Sequence, residues 1–96
     1  MYDDGDFEWD EEKAAQNCIL HGLGFETARY VFKDTFAVDY VDDRESYGEE
    51  RSVIIGIVDN RLLCVAYTMR GDRVRIISAR GAEPYEKRRY HEENSY

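Results

Sequence analysis

One proline, two cysteines and one tryptophan are spread over 96 residues. The lone proline, Pro84, leaves no proline-rich linker and interrupts no strand-like segment. Two cysteines cannot build a disulfide framework. Cys18 falls in a helical pattern and Cys64 in a strand pattern, so both read as reduced, partly buried thiols of a cytosolic protein. Cys18 and His21 are spaced like half a metal site, but no second Cys/His pair completes one, and neither metal nor cofactor is expected. The longest apolar run, residues 53–58, falls far short of the roughly 20 residues that span a bilayer, so no membrane association is expected. The acidic start, Met-Tyr-Asp-Asp-Gly-Asp, carries no apolar signal region, and secretion is not expected. Basic residues are scarce too: 13 Lys/Arg oppose 21 Asp/Glu, for a net charge of -8.

The basic charge that exists is concentrated. Residues 61–91 hold eight Lys/Arg and three Asp/Glu, net +5, whereas residues 1–60 hold five and sixteen, net -11. Net charge argues against a polyanionic partner, and its distribution argues for one. Binding senses the field within about a Debye length, ~8 Å at physiological salt, so distribution is the better guide. A reversal this local suits a phosphate-bearing ligand. A solvated basic face on an acidic protein has the same composition.

With 43% hydrophobic and 14% aromatic residues the chain should fold, and its length suits one domain. Residues 1–6 read as a frayed acidic tail and residues 7–96 as the domain. Phe7-Glu-Trp9 alternates like an edge strand. Asp10 is placed to cap a helix over residues 13–20, with Ala14, Cys18 and Leu20 facing inward, and Gly22 ends it. A second short helix is expected over residues 25–32, with Ala28, Val31 and Phe32 buried. Four strands follow: residues 36–41, 51–58, 61–70 and 73–79. A charged loop (residues 42–50) and two tight turns, Asp59-Asn60 and Gly71-Asp72, join them. Pro84 fits the first turn of a last helix running to Glu93.

The Gly71-Asp72 turn fixes a register. Arg70 faces Arg73, Thr68 faces Arg75, Ala66 faces Ile77 and Cys64 faces Ala79 on one side of the ribbon. Met69 with Val74, Tyr67 with Ile76 and Leu63 near Arg80 share the other. Arg70, Arg73 and Arg75 thus gather on one face, and Arg80 projects from the opposite one unless the strand bends near Ala79. Like charges across a ladder cost roughly a few tenths of a kcal/mol. A fork of guanidinium groups on a rigid sheet can cradle phosphate. The competing reading is neutralisation from within, by Asp42, Asp43, Glu45, Glu49 or Glu50 of the neighbouring loop. On the last helix, Lys87, Arg88 and Arg89 splay around the axis. Tyr85 shares a stripe with Arg89, and Glu86 shares one with Tyr90. Aromatic rings beside cations suit base stacking with phosphate contact, and Tyr90 equally suits docking into a core.

The residues resemble those of the BrnT toxins, ribonuclease components of bacterial type II toxin–antitoxin modules. The resemblance rests on ordered blocks: Phe7-Glu-Trp-Asp10, Lys13-Ala14, Asn17, His21-Gly22, Phe25-Glu26, Ala28, Val31-Phe32 and Asp34. Gly48-Glu-Glu-Arg51 with Ile55-Gly56 follows. Then come Tyr67-Thr68-x-Arg70, Arg75-Ile-Ile-Ser-Ala-Arg80 with Ala82, and Glu86 through Tyr90. The chain departs from that pattern at Leu20 and Gly81, where a basic residue is common, and at Glu83, where Ser or Thr commonly caps the last helix.

The resemblance implies an α+β, RelE-like fold: a small antiparallel sheet with two N-terminal helices and a C-terminal helix, packed on one side. It implies metal-independent endoribonuclease activity that inhibits translation in the bacterial cytoplasm. The implied partners are an RNA substrate and a BrnA-like ribbon-helix-helix antitoxin, with operator DNA reached only through the antitoxin complex. Such cleavage uses the substrate's 2′-hydroxyl as nucleophile, so the protein must stabilise phosphorane-like charge and move protons. Arg70, Arg75, Arg80 and His91 are the expected catalytic residues. Arg73, Lys87, Arg88, Arg89 and Tyr90 are the expected RNA contacts. The general base and acid stay open among His91, Glu86, Tyr67, Tyr90 and His21, and His21 suits a cap or packed residue better. A reading of a different class is a non-catalytic binding module that acts with a ribbon-helix-helix partner in transcriptional autoregulation.

Overall fold

The computed structural model describes residues 2–3, 5–42 and 50–95. Along the chain these form β1 (Tyr2–Asp3), β2 (Phe7–Trp9), α1 (Glu11–His21) and α2 (Phe25–Ala28), which runs into a 3-10 turn (Arg29–Lys33). Then follow β3 (Val38–Asp42), β4 (Arg51–Val58), β5 (Arg61–Arg70), β6 (Arg73–Gly81) and α3 (Pro84–Glu93). The strands make one sheet in the order β1-β2-β6-β5-β4-β3. The α+β class is as expected. No helix of the described residues is long and apolar enough to cross a membrane.

At the start of the chain, Tyr2 and Asp3 pair antiparallel with Trp9 and Glu8, which gives their backbone a partner. The sheet is also not wholly antiparallel: β2 runs parallel to β6, with Phe7 opposite Val74 and Glu8 opposite Arg75. Two tight turns behave as their residues dictate. Asp59 and Asn60 both have positive φ, 51° and 66°, the geometry of a two-residue hairpin turn, and Gly71 has φ 61°. Residues 36 and 37 do not join β3. Asp34 turns the chain there, accepting from Phe36 N–H through its carboxylate and from Ala37 N–H through its carbonyl.

Helix α1 starts where Asp10 accepts from the N–H groups of Glu12 and Lys13 at 2.9 and 3.2 Å. It stops at Gly22, whose left-handed φ of 66° lets its N–H reach Cys18 O. The inward stripe is not the expected one. Cys18 is exposed and Leu20 is 75% exposed, while Ala14 is half-buried and Asn17 is buried. A backbone need overrides hydrophobicity here. Strand β2 pairs with β6 only as far as Arg75, so the edge of β6 beyond that point lacks a strand. Asn17 supplies the missing peptide. Its amide nitrogen donates to Ala79 O and Leu23 O, both at 2.9 Å, and its oxygen accepts from Ala79 N–H at 3.1 Å. The expected second helix is one α turn followed by the tighter 3-10 turn. Phe25, Ala28 and Val31 are buried as a helix would bury them, and Phe32 is half-buried against Phe7 and Tyr67. The 3-10 turn lies directly on β4 because Gly56 has no side chain: a Cβ there would sit 2.6 Å from Val31 Cγ2.

Core packs on both sheet faces. Trp9, Phe25, Ala28 and Val31 cover Ile54, Leu63, Val65, Tyr67, Ile76 and Ala79 on one face. Helix α3 lies on the other, where Tyr90 packs with Val53, Ile55 and Cys64. The helices therefore do not share one side. A bulge in β6 makes this arrangement consistent. From the turn, Arg70 faces Arg73, Met69 faces Val74, Thr68 faces Arg75 and Tyr67 faces Ile76, but Ala66 then faces Ser78. Ile77 is the extra residue, and after it every β6 side chain changes face. Ala79 now points into the core opposite Val65, and Arg80 joins Cys64 on the α3 face.

Replacing Asn17 with Ala should cost about 2–4 kcal/mol, because it strands both backbone groups of Ala79. Urea denaturation measures the loss, and hydrogen exchange should show the Ala79 amide losing protection first. Gly56→Ala should destabilise by a smaller but clear margin through the Val31 clash.

Candidate nucleic-acid interface

Helix α3 divides its face of the sheet into two territories. Its stripe of Glu86 and Tyr90 is buried and docks it. Glu86 is 1% exposed and accepts from both ends of one guanidinium: Arg80 Nη1 to Oε1 at 2.6 Å and Nη2 to Oε2 at 2.9 Å. The same carboxylate accepts the Glu83 N–H at 2.8 Å and the Cys64 thiol at 3.1 Å. Glu83, standing before Pro84 where Ser or Thr was expected, is thus served by Glu86 from within the first turn. It also adds a looser ion pair to Arg80 at 3.5 Å. Burial opposes ionisation of Glu86, but Arg80, the Glu83 N–H and the thiol outweigh it and draw its pKa down to about 2. The Arg80 guanidinium is correspondingly held more firmly protonated.

At the other end, Tyr90 donates its hydroxyl to Asp34 at 2.8 Å, and Asp34 also accepts from Ile57 N–H. Burial, the bond to Asp34 and its charge push the Tyr90 pKa up to about 12. Burial also works against the Asp34 charge, but the Ile57 and Phe36 N–H groups and the Tyr90 hydroxyl hold its carboxyl below the usual range. Tyr90 is therefore a docking residue in this structure.

One flank of α3 faces the turn end of the β5–β6 ribbon. Arg70, Arg73 and Arg75 lie there on one face, as the turn predicts, and the bulge brings Arg80 to the same face. Arg51 belongs to it as well, opposite Asp42 in the β3–β4 ladder. Arg70 is exposed, and Arg51, Arg73, Arg75 and Arg80 are half-buried. Neutralisation from the loop at 42–50 was the competing reading. Among the described residues Glu8 supplies a carboxylate beside Arg75, its Oε2 2.9 Å from Nη1, because the parallel β2–β6 pairing sets the two residues side by side. Residues 43–49 fall outside the described residues. Tyr40 and Arg89 close this flank: the guanidinium carbon of Arg89 sits 3.8 Å above the centre of the Tyr40 ring.

The opposite flank of α3 is a separate place. Lys87 and His91 line a groove of about 480 Å³ against Asn60, Arg61 and Leu62 at the β4–β5 end of the sheet. Gly81 stands where a basic residue is common in the resembling family, and here Arg61 fills that space: a Cβ on Gly81 would lie 2.8 Å from its Nη2. Arg88 is exposed between the two flanks. Expected site residues are thus divided, with Arg70, Arg73, Arg75, Arg80 and Arg89 on one side of the helix and Lys87 and His91 on the other. Tyr67 is on the far face of the sheet, its hydroxyl on Asp39 at 3.2 Å and its pKa raised by burial and by that charge. His21 is exposed at the end of α1. Among the described residues no three His, Cys, Asp or Glu side chains group in a way that could hold a metal ion. Glu8 and Tyr40 had no role in the sequence reading. The alternation of residues 38–41 already put Tyr40 on one face with Val38, but its meeting with Arg89 spans 49 positions of chain.

The class defined here is a small α+β domain that gathers Arg70, Arg73, Arg75 and Arg80 on one face of its sheet beside a C-terminal helix. No curated protein matches the sequence. The family model described as ribonuclease toxin, BrnT, of type II toxin–antitoxin systems matches residues 9–86, and the chain belongs to that family. The family carries with it ribonuclease toxicity, an antitoxin partner and an RNA substrate.

Glu86→Gln should lower stability at pH 7 by roughly 2–3 kcal/mol by leaving Arg80 without its anion. The folded pKa lies below the unfolded one, so this stabilisation is complete above about pH 4.5 and is lost as pH falls towards about 2. Thermal melts of the two proteins should therefore converge across that window.

Proposed function

We propose that the protein is a type II toxin that cuts RNA without a metal and so arrests translation in the bacterial cytoplasm. Residues 7–96 act as one domain. A BrnA-like antitoxin with a ribbon-helix-helix part neutralises it, and operator DNA is reached only through that complex. The observation that carries this reading is the convergence of Arg70, Arg73, Arg75 and Arg80 on one face of the β5–β6 ribbon.

In this proposal the sugar–phosphate chain runs along that face. The substrate's 2′-hydroxyl attacks the adjacent phosphorus and the 5′-oxygen leaves, giving a 2′,3′-cyclic phosphate. Charge grows on the non-bridging oxygens in the transition state. Arg70 and Arg75 offer guanidinium N–H groups to it in this proposal, with Arg73 on the neighbouring phosphate. Glu8 positions Arg75, and Arg80, gripped by Glu86, adds fixed positive charge at the foot of α3. Proton transfer falls to water. Glu86 is ionised at neutral pH, Tyr90 holds its proton, Tyr67 faces away and His91 stands across the helix.

The purified protein should cleave RNA with EDTA present, and Arg75→Ala/Arg80→Ala should slow cleavage at least ~100-fold. Circular dichroism checks that the variant folds. Undiminished cleavage would reject the arginine assignment. A second reading, a non-catalytic module that regulates transcription with its partner, is favoured by the carboxylates already facing Arg75 and Arg80. Wild-type protein that binds its antitoxin tightly but cuts no RNA, with or without ribosomes, would select it.

A further inference from the structure

Arg89 differs from the other arginines on its flank. Arg75 and Arg80 each meet a carboxylate, whereas among the described residues Arg89 makes no hydrogen bond or ion pair and spends its guanidinium on a ring. It is exposed, yet it is not loose. The Tyr40 ring backs one plane of the guanidinium at 3.8 Å, and Tyr40 is itself held in the β3–β4 ladder opposite Val53. Arg89 is fixed from its own side as well, because Glu86 and Tyr90 lock α3 to Arg80 and Asp34. Tyr85, one helical turn earlier on the same stripe, is 45% exposed. A planar cation stacked on one side and open on the other, beside a half-exposed ring, offers two flat surfaces at the border of an arginine-lined sheet.

We infer that Tyr40, Arg89 and Tyr85 form a stacking subsite for an unpaired nucleobase of the single-stranded substrate. This rests on the proposed RNA reading and deepens it. The base lies on the outer plane of Arg89, beside the Tyr85 ring, while the edge N–H groups of Arg89 reach the adjoining phosphate. Arg70, Arg73 and Arg75 hold the backbone and leave sequence unread, so this platform orders the base next to the cut and supplies what preference the enzyme has.

The test uses a single-stranded 2′-O-methyl RNA, which the proposed chemistry cannot cut, with one 2-aminopurine moved along successive positions. A matched set carries an abasic site instead. At one position the wild type should alter the fluorescence as the base stacks, and the abasic oligonucleotide should bind about tenfold more weakly. Arg89→Lys keeps the charge and removes the plane; it should abolish both the fluorescence change and the abasic penalty while leaving the salt dependence of binding. On cleavable RNA the same variant should raise KM several-fold with kcat little changed. Tyr40→Leu should behave alike, and if it fails to fold, Arg89→Lys at an exposed helix position decides alone. Equal affinity for intact and abasic oligonucleotides at every position would overturn the inference, as would an Arg89→Lys protein that keeps the abasic penalty. Loss of cleavage by the wild type would reject the nuclease reading and leave this binding result standing.

Discussion

One extra residue in β6 sets the terms for the rest of the molecule. Without Ile77 as a bulge, Ala79 would point towards α3 and Arg80 into the core beside Leu63, burying a charge with no partner there. With it, a small residue fills the core and a cation emerges where α3 begins. A bulged edge strand needs its backbone satisfied, and Asn17 does this from α1 by taking both groups of Ala79. The two cores are thus tied at a single point: α1 holds β6 from one side while Glu86 holds Arg80 from the other.

The acidic composition acquires a local logic from this. Repulsion between neighbouring guanidiniums favours carboxylates set among them. Among the described residues, Glu8 meets Arg75, and Glu86 with Glu83 meets Arg80. Glu8 reaches Arg75 through strand pairing and Glu86 reaches Arg80 through helix docking. Each takes part of the guanidinium and fixes its plane. Repulsion along the β5–β6 ribbon is offset while the arginine row stays on one face, the face along which the proposed RNA path runs.

Much of this was legible in the sequence. The hairpins were readable because Asp59-Asn60 and Gly71-Asp72 are turn pairs between alternating segments, and the first four pairs from Arg70 and Arg73 follow directly from the second turn. The bulge was not readable, since Ile77 is an ordinary strand residue and no glycine marks the slip. The face of Arg80 was therefore misassigned. The inward side of α1 was misread for a related reason: hydrophobicity favoured Cys18 and Leu20, but an unpaired strand edge elsewhere in the chain selected Asn17. The partition of the last helix followed from helical spacing only in part. Spacing separates Tyr85 and Arg89 from Lys87 and His91, but only the docking of Glu86 and Tyr90 says which flank meets the arginines. The pairing of Glu8 with Arg75 joins residues 67 positions apart and leaves no local signal.

The parallel pairing of β2 with β6 also bears on how the chain comes off the ribosome. Phe7 and Glu8 emerge early, but their partners Val74 and Arg75 follow only after three intervening strands have been made. Until then Trp9 and the Asn17 amide lack the strand they belong against, and the arginine row does not yet exist as a surface. Completion of the fold and appearance of the charged face are therefore one late event, so a nascent chain spends most of its synthesis without an assembled arginine row.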